Sequence, residues 1–102
     1  MAGWATSYIE ALQRGESVEF RPRGGSMTPR IRSGQLCFVE PTTIEAVEVD
    51  DVVLCTVRGL QYLHLVKAKQ GPRLLIGNNH GNTNGWISAN GLHGKLVRLG
   101  DR

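Results

Sequence analysis

The sequence predicts a mainly β domain with one short N-terminal helix, its strands forming a compact coiled sheet or half-open barrel, and three observations point to it. Short runs rich in branched and aromatic residues recur along the chain, the composition of strands. The 13 glycines are spread between these runs instead of gathering in one tract, as a chain with many turns requires. Helical spacing of apolar residues is found near the N-terminus. The 102 residues are 40% hydrophobic and 21% charged, which fits one folded domain over 1–102, since two smaller pieces would bury too little surface. Within it, an N-terminal helical segment 1–15 precedes a β core over 16–99.

In chain order, Trp4 to Arg14 places apolar side chains at 4, 5, 8, 9 and 12, one face of a helix, and Gly15 ends it. Ser17 to Arg21 alternates polar and apolar residues before Pro22, as a half-buried strand does. Gln35–Val39 and Asp51–Val57 read as buried strands joined by a polar link from Pro41 to Asp50. Arg58-Gly59-Leu60-Gln61 turns the chain into a strand over Tyr62–Lys67, and Gly71-Pro72 turns it again into Arg73–Ile76, a hairpin pattern. Gly77 to Gly85 (GNNHGNTNG) reads as a long polar loop, and Leu92–Leu99 as the last strand.

Composition narrows the function classes. The longest apolar run is far short of the roughly 20 residues that span a bilayer, and no charged-then-apolar leader opens the chain, so a cytoplasmic protein without a membrane span is expected. Cys37 and Cys55 sit inside apolar runs, where a thiol behaves as a small hydrophobe. Together with His64, His80 and His93 they lack the paired spacing of a zinc site, so no metal and no cofactor is expected. The net charge is +3, with much of the excess in Arg14, Arg21, Arg23, Arg30 and Arg32.

The stretch RGGSMTPRIRSGQ, Arg23 to Gln35, sets one serine in a Gly/Pro loop between strands. Alone, Gly-Gly-Ser is turn chemistry, and a histidine in Leu63-His64-Leu65 is a packed, hydrogen-bonded side chain. The ordered combination of Ser26-Met27-Thr28-Pro29, Asp51-Val52-Val53 and a strand histidine at 64 is a multi-part pattern. It resembles the serine peptidases of the signal peptidase and LexA/UmuD-type self-cleaving repressor superfamily, over about Glu16 to Arg98. The resemblance implies a fold of that type, with Ser26 as nucleophile and His64 at the base position, as in the histidine-using branch of the family. Gly77-Asn78-Asn79 is similar to the family's downstream acidic box, so Asn78 and Asn84 are the candidates for orienting His64. Gly91 to Arg98 is similar to its closing segment. The expected form is a bare catalytic core, with no membrane anchor and no DNA-binding domain ahead of it.

A serine hydroxyl becomes nucleophilic when a base lies within about 2.6–3.2 Å, and an imidazole with a pKa near 6.5 is largely neutral and able to accept at pH 7. Gly24 and Gly25 allow a sharp turn close to a substrate carbonyl, Met27 packs beneath the loop, and Pro29 stiffens its exit. With glycine at 24, the oxyanion hole falls to backbone N–H groups such as that of Ser26. Arg21, Arg23, Arg30 and Arg32 add positive potential that favours a neutral His64 and an acidic or C-terminal-carboxylate substrate, with Arg30 and Arg32 as substrate-binding candidates. The expected function is a soluble serine endopeptidase acting on an extended protein or peptide segment beside a sheet edge. The alternative is an inactive module that binds a peptide or protein partner. Nucleic-acid binding is a third reading, disfavoured by an aromatic content of 6%. His80 reads as a solvated loop residue, and Trp86 as closing the core or lining a substrate groove.

Overall fold

The computed structural model describes residues 3–101; residues 1, 2 and 102, including the start of the helical segment expected over 1–15, lie outside the described residues. Helix α1 (Thr6–Gln13) is followed by strands β1 (Val18–Phe20), β2 (Cys37–Glu40), β3 (Val52–Val57), β4 (Leu60–Gln70), β5 (Arg73–Gly77), β6 (Thr83–Ile87) and β7 (Leu92–Leu99). The protein is mainly β, as the composition predicts. All pairings are antiparallel, in the order β1-β2-β7-β3-β4-β5-β6. The two end strands do not pair with each other, so the sheet coils without closing. Extents of 35 × 32 × 28 Å exclude a flat layer.

The central strand explains the coiling. Val52 to Cys55 are four consecutive buried residues, which a strand permits only where both of its faces are covered. Alternation sends Val52 and Leu54 into one apolar cluster and Val53, Cys55 and Val57 into another. The first cluster lies under α1 with Ile9, Leu12, Phe20 and Val39. The second gathers Val66, Leu74, Ile76 and Ile87. The expected polar link between β2 and β3 contributes to it as well. Ile44 and Val47 are buried around a short 3₁₀ turn (Ile44–Ala46), and the Lys69 ammonium donates to their carbonyls at 2.9 and 2.8 Å. β6 is the second departure from the expected elements. Thr83–Ile87 pairs with β5, although its sequence TNGWI lacks the alternation of a half-buried strand.

Local chemistry sets the turns. The β3–β4 hairpin has a two-residue loop, Arg58 and Gly59, both with positive φ (52° and 83°), the form that matches strand twist. Helix α1 ends with Gly15 at φ 86°, whose N–H donates to the Leu12 carbonyl while that of Glu16 donates to Ala11, a Schellman closure. At the other end Ala5 offers no side-chain cap, and β4 supplies one: the Ala5 N–H donates to Gln61 Oε1 at 2.6 Å, and Gln61 Nε2 donates to Thr6 Oγ1 at 2.9 Å.

Gly94 on β7 marks where the sheet and helix come closest. A Cβ there would lie 2.7 Å from Val39 Cγ1, 2.9 Å from the Glu40 carbonyl and 3.0 Å from Leu12 Cδ1. Gly94→Ala is therefore expected to lower stability by about 1–3 kcal/mol, read as a lower urea midpoint with an unchanged m-value.

Candidate active site

The serine loop is anchored from below and turned at its tip. Met27 and Ile31 are buried in the cluster under α1, and the Ile31 N–H donates to the Met27 carbonyl at 3.0 Å, closing one turn. Gly24 has φ 113°, and its N–H donates to Ser33 Oγ at 3.1 Å. Thr28 donates to the Gly25 carbonyl through its N–H and its hydroxyl, at 3.2 and 2.8 Å. Pro29 follows a cis peptide bond. With the apolar neighbours turned inward, Ser26 is left exposed at the tip.

His64 is brought to the serine by a change in strand pairing. β5 pairs with β4 only as far as Leu65↔Gly77, so Leu60 to His64 have no β5 neighbour. Ser26 lies against this stretch, with its Oγ 3.1 Å from His64 Nε2. Behind the ring, His64 Nδ1 is 2.7 Å from Asn84 Oδ1. An amide oxygen only accepts, so Nδ1 carries the proton and donates, which leaves Nε2 as the acceptor for the serine hydroxyl. The histidine is 7% exposed and Tyr62 packs beside it, ring centroids 4.8 Å apart. Burial pushes its pKa below 6.5, and the Asn84 hydrogen bond opposes that shift without reversing it.

The loop after β5 clasps the serine loop through its backbone. The Asn79 N–H donates to the Ser26 carbonyl and its Nδ2 to the Thr28 carbonyl, both at 3.0 Å. His80 Nε2 lies 2.9 Å from the Gly25 carbonyl, which it can engage only as a donor. Gly77 lets this loop close on itself, because a Cβ there would collide with the Asn82 carbonyl, which accepts from the Asn78 N–H at 2.9 Å. Of the two asparagines expected near the histidine, Asn84 orients it. Asn78 instead shapes the clasp, its Oδ1 accepting from the N–H groups of His80 and Asn82 at 2.8 and 3.1 Å. His80, read from sequence as solvated, is exposed yet tied to the serine loop. An Asn/Gly-rich loop gives no sign of which tertiary carbonyl its side chains will meet, so only the general richness in donors was available as a signal.

Ser26 and His64 open into a cleft of about 590 Å³. Tyr8 and Phe20 stack at 4.6 Å along one wall, with Trp4 edge-on to Phe20 at 5.6 Å. Arg21, Arg23 and Arg32 also line it. Arg30 does not: its guanidinium donates to the Asp50 carbonyl. Trp86 lies on edge strand β6, 39% exposed with Arg73 over its ring, neither in the core nor lining the cleft.

Other titratable side chains lie apart from this pair. His93 Nε2 meets Thr56 Oγ1 at 2.8 Å, and burial lowers its pKa. The Cys37 and Cys55 thiols are buried and free, pushed up to about 11 and about 12. Among the described residues no cluster of His, Cys, Asp and Glu could hold a metal ion, and no helix is long and apolar enough to cross a membrane. No protein-family model matches the chain, and no curated protein sequence matches it.

His64 and His93 are held neutral in the fold, with pKa values below 6.5. The unfolded chain protonates both near pH 6.5 while the folded chain does not, so stability is flat above that pH and falls as pH drops from 6.5 toward the folded values. His64→Gln is expected to reduce this acid-side slope in urea midpoints measured across pH 5–8. Separately, Asn79→Ala removes the donor to the Thr28 carbonyl and is expected to cost about 1 kcal/mol, with faster amide exchange in residues 26–31.

Proposed function

We propose that the protein is a serine endopeptidase, with Ser26 as nucleophile and His64 as general base and acid. The observation that carries this reading is the line Ser26 Oγ, His64 Nε2, His64 Nδ1, Asn84 Oδ1, with contacts of 3.1 and 2.7 Å. The ordered motifs resembling the signal peptidase and LexA-type superfamily add to it, as does a cleft opening at the serine. In the proposed reaction the hydroxyl proton passes to Nε2 as Oγ attacks the peptide carbonyl. The tetrahedral oxyanion is met by backbone N–H groups, that of Ser26 first. His64 then returns the proton to the leaving amine, and water releases the acyl group by the same route.

Asn84 would act here through tautomer and orientation alone. An uncharged amide holds Nδ1–H in place but gives the imidazolium formed during attack none of the stabilisation a carboxylate would. That difference favours slow turnover, and it supports a second reading, a module that holds a peptide strand in the same groove without cutting it.

The register suits an extended substrate. In a two-residue hairpin Val57 and Leu60 exchange hydrogen bonds, so Gln61 and Leu63 turn their N–H and C=O groups away from β3. The Gln61 carbonyl is taken by Trp4 Nε1 at 3.0 Å. Leu63 lines the cleft, and its backbone groups offer a substrate strand a place to pair.

Wild-type protein incubated with a complex peptide library is expected to produce cuts, read by mass spectrometry, that Ser26→Ala does not. The rate should hold from neutrality down to pH 6.5 and fall only below it, because His64 titrates below its ordinary value. Absence of cuts from both proteins, with peptides retained by Ser26→Ala, would favour the binding module.

A further inference from the structure

The cleft beside Ser26 joins two features of opposite character. At about 590 Å³ it falls within the roughly 300–1,000 Å³ of small-molecule sites. Its inner wall is apolar, formed by Tyr8, Phe20 and Trp4 over buried Met27, Ile31 and Leu63. Three arginines line the same cleft, and no aspartate or glutamate does among the described residues. Arg21 is fixed by donating from one nitrogen to the Gly34 and Asp101 carbonyls at 3.0 and 2.9 Å. The guanidinium groups of Arg23 and Arg32 are exposed and make no hydrogen bond or ion pair among the described residues. Three like charges lining one concavity repel each other, and a bound anion relieves that repulsion. The planar fork of arginine matches a carboxylate through two parallel hydrogen bonds.

Resting on the peptidase reading for the position of the scissile bond, we propose that the cleft selects an extended acidic peptide. A carboxylate side chain engages Arg23 and Arg32, and a large apolar side chain lodges against Trp4, Tyr8 and Phe20. A peptide fits this surface better than a polynucleotide does. The Tyr8 and Phe20 rings stack on each other instead of presenting free faces to bases, and the open backbone of Leu63 is a partner for a strand.

The test uses Ser26→Ala protein, so that binding is read without turnover. The probes are fluorescein-labelled, acetylated and amidated peptides carrying one Phe and one Glu at varied separations. Matched peptides carry Gln or Lys for Glu, or Ala for Phe. Fluorescence anisotropy is expected to show the best Glu/Phe peptide binding about tenfold more tightly than its Gln counterpart, with the Lys and Ala counterparts weaker than the parent. Arg23→Gln with Arg32→Gln should abolish the Glu-over-Gln difference and leave the urea midpoint in place, because both side chains are exposed. Equal binding of Glu and Gln peptides, discrimination that persists in the double variant, or no measurable binding would each overturn the proposal. So would displacement of the peptide by a single-stranded oligonucleotide at a lower concentration than by unlabelled peptide. Glu-selective binding together with no cleavage by the Ser26 protein would uphold the selectivity and fail the peptidase reading; cleavage without selectivity would do the reverse.

Discussion

The end of β4–β5 pairing at Leu65↔Gly77 is the constraint on which the site depends. Had β5 continued alongside β4, the edge next to His64 would be occupied and no loop could reach it. Because β5 leaves, its following loop folds over the serine loop, and Asn79 and His80 hold that loop by the carbonyls of Gly25, Ser26 and Thr28. Backbone polar groups left without a strand partner need another. The segment just before α1 supplies one at Gln61 through Trp4, so the strand's vacancy also helps to place the start of α1. Helix, serine loop and clasp are three answers to one interrupted ladder.

The pair at the centre is uncharged, set among cations. His64 is buried with Asn84, Ser26 and Tyr62 as neighbours, so the resting site holds no buried charge among the described residues that must be desolvated or paired. A carboxylate at position 84 would bring a stronger base at the cost of burying an ion. Burial lowers the His64 pKa and the Asn84 hydrogen bond partly offsets it, so the ring rests neutral. Nε2 is thus left as an acceptor facing Ser26, with the uncharged Asn84 oxygen behind the ring.

Much of the scaffold was legible from residue patterns, and what was not has identifiable physical causes. The runs that became β2, β3, β4, β5 and β7 are rich in branched residues because one or both of their faces are buried, and burial writes itself into composition. β6 was hidden because TNGWI is an edge strand: Asn84 is used for the histidine, Gly85 sits at φ 142° and Trp86 faces outward. The link before β3 looked polar because only Ile44 and Val47 turn inward from it. Ser26 and His64 stood out in sequence because motif order placed them on a loop and a strand. The choice between Asn78 and Asn84 needed three dimensions, since it turns on which of them faces Nδ1 once β5 and β6 have paired.

Asn84 lies on the outermost strand of one side of the sheet, and it joins a site whose other parts come from Trp4, Ser26 and His64. During synthesis, the serine loop and most of the hydrophobic framework leave the ribosome well before that strand does. A nascent or truncated chain that stops short of β6 also lacks β7, the strand that joins β2 to β3, and it holds its imidazole without the Asn84 contact. The line Ser26, His64, Asn84 therefore assembles only after the C-terminal strands have left the ribosome.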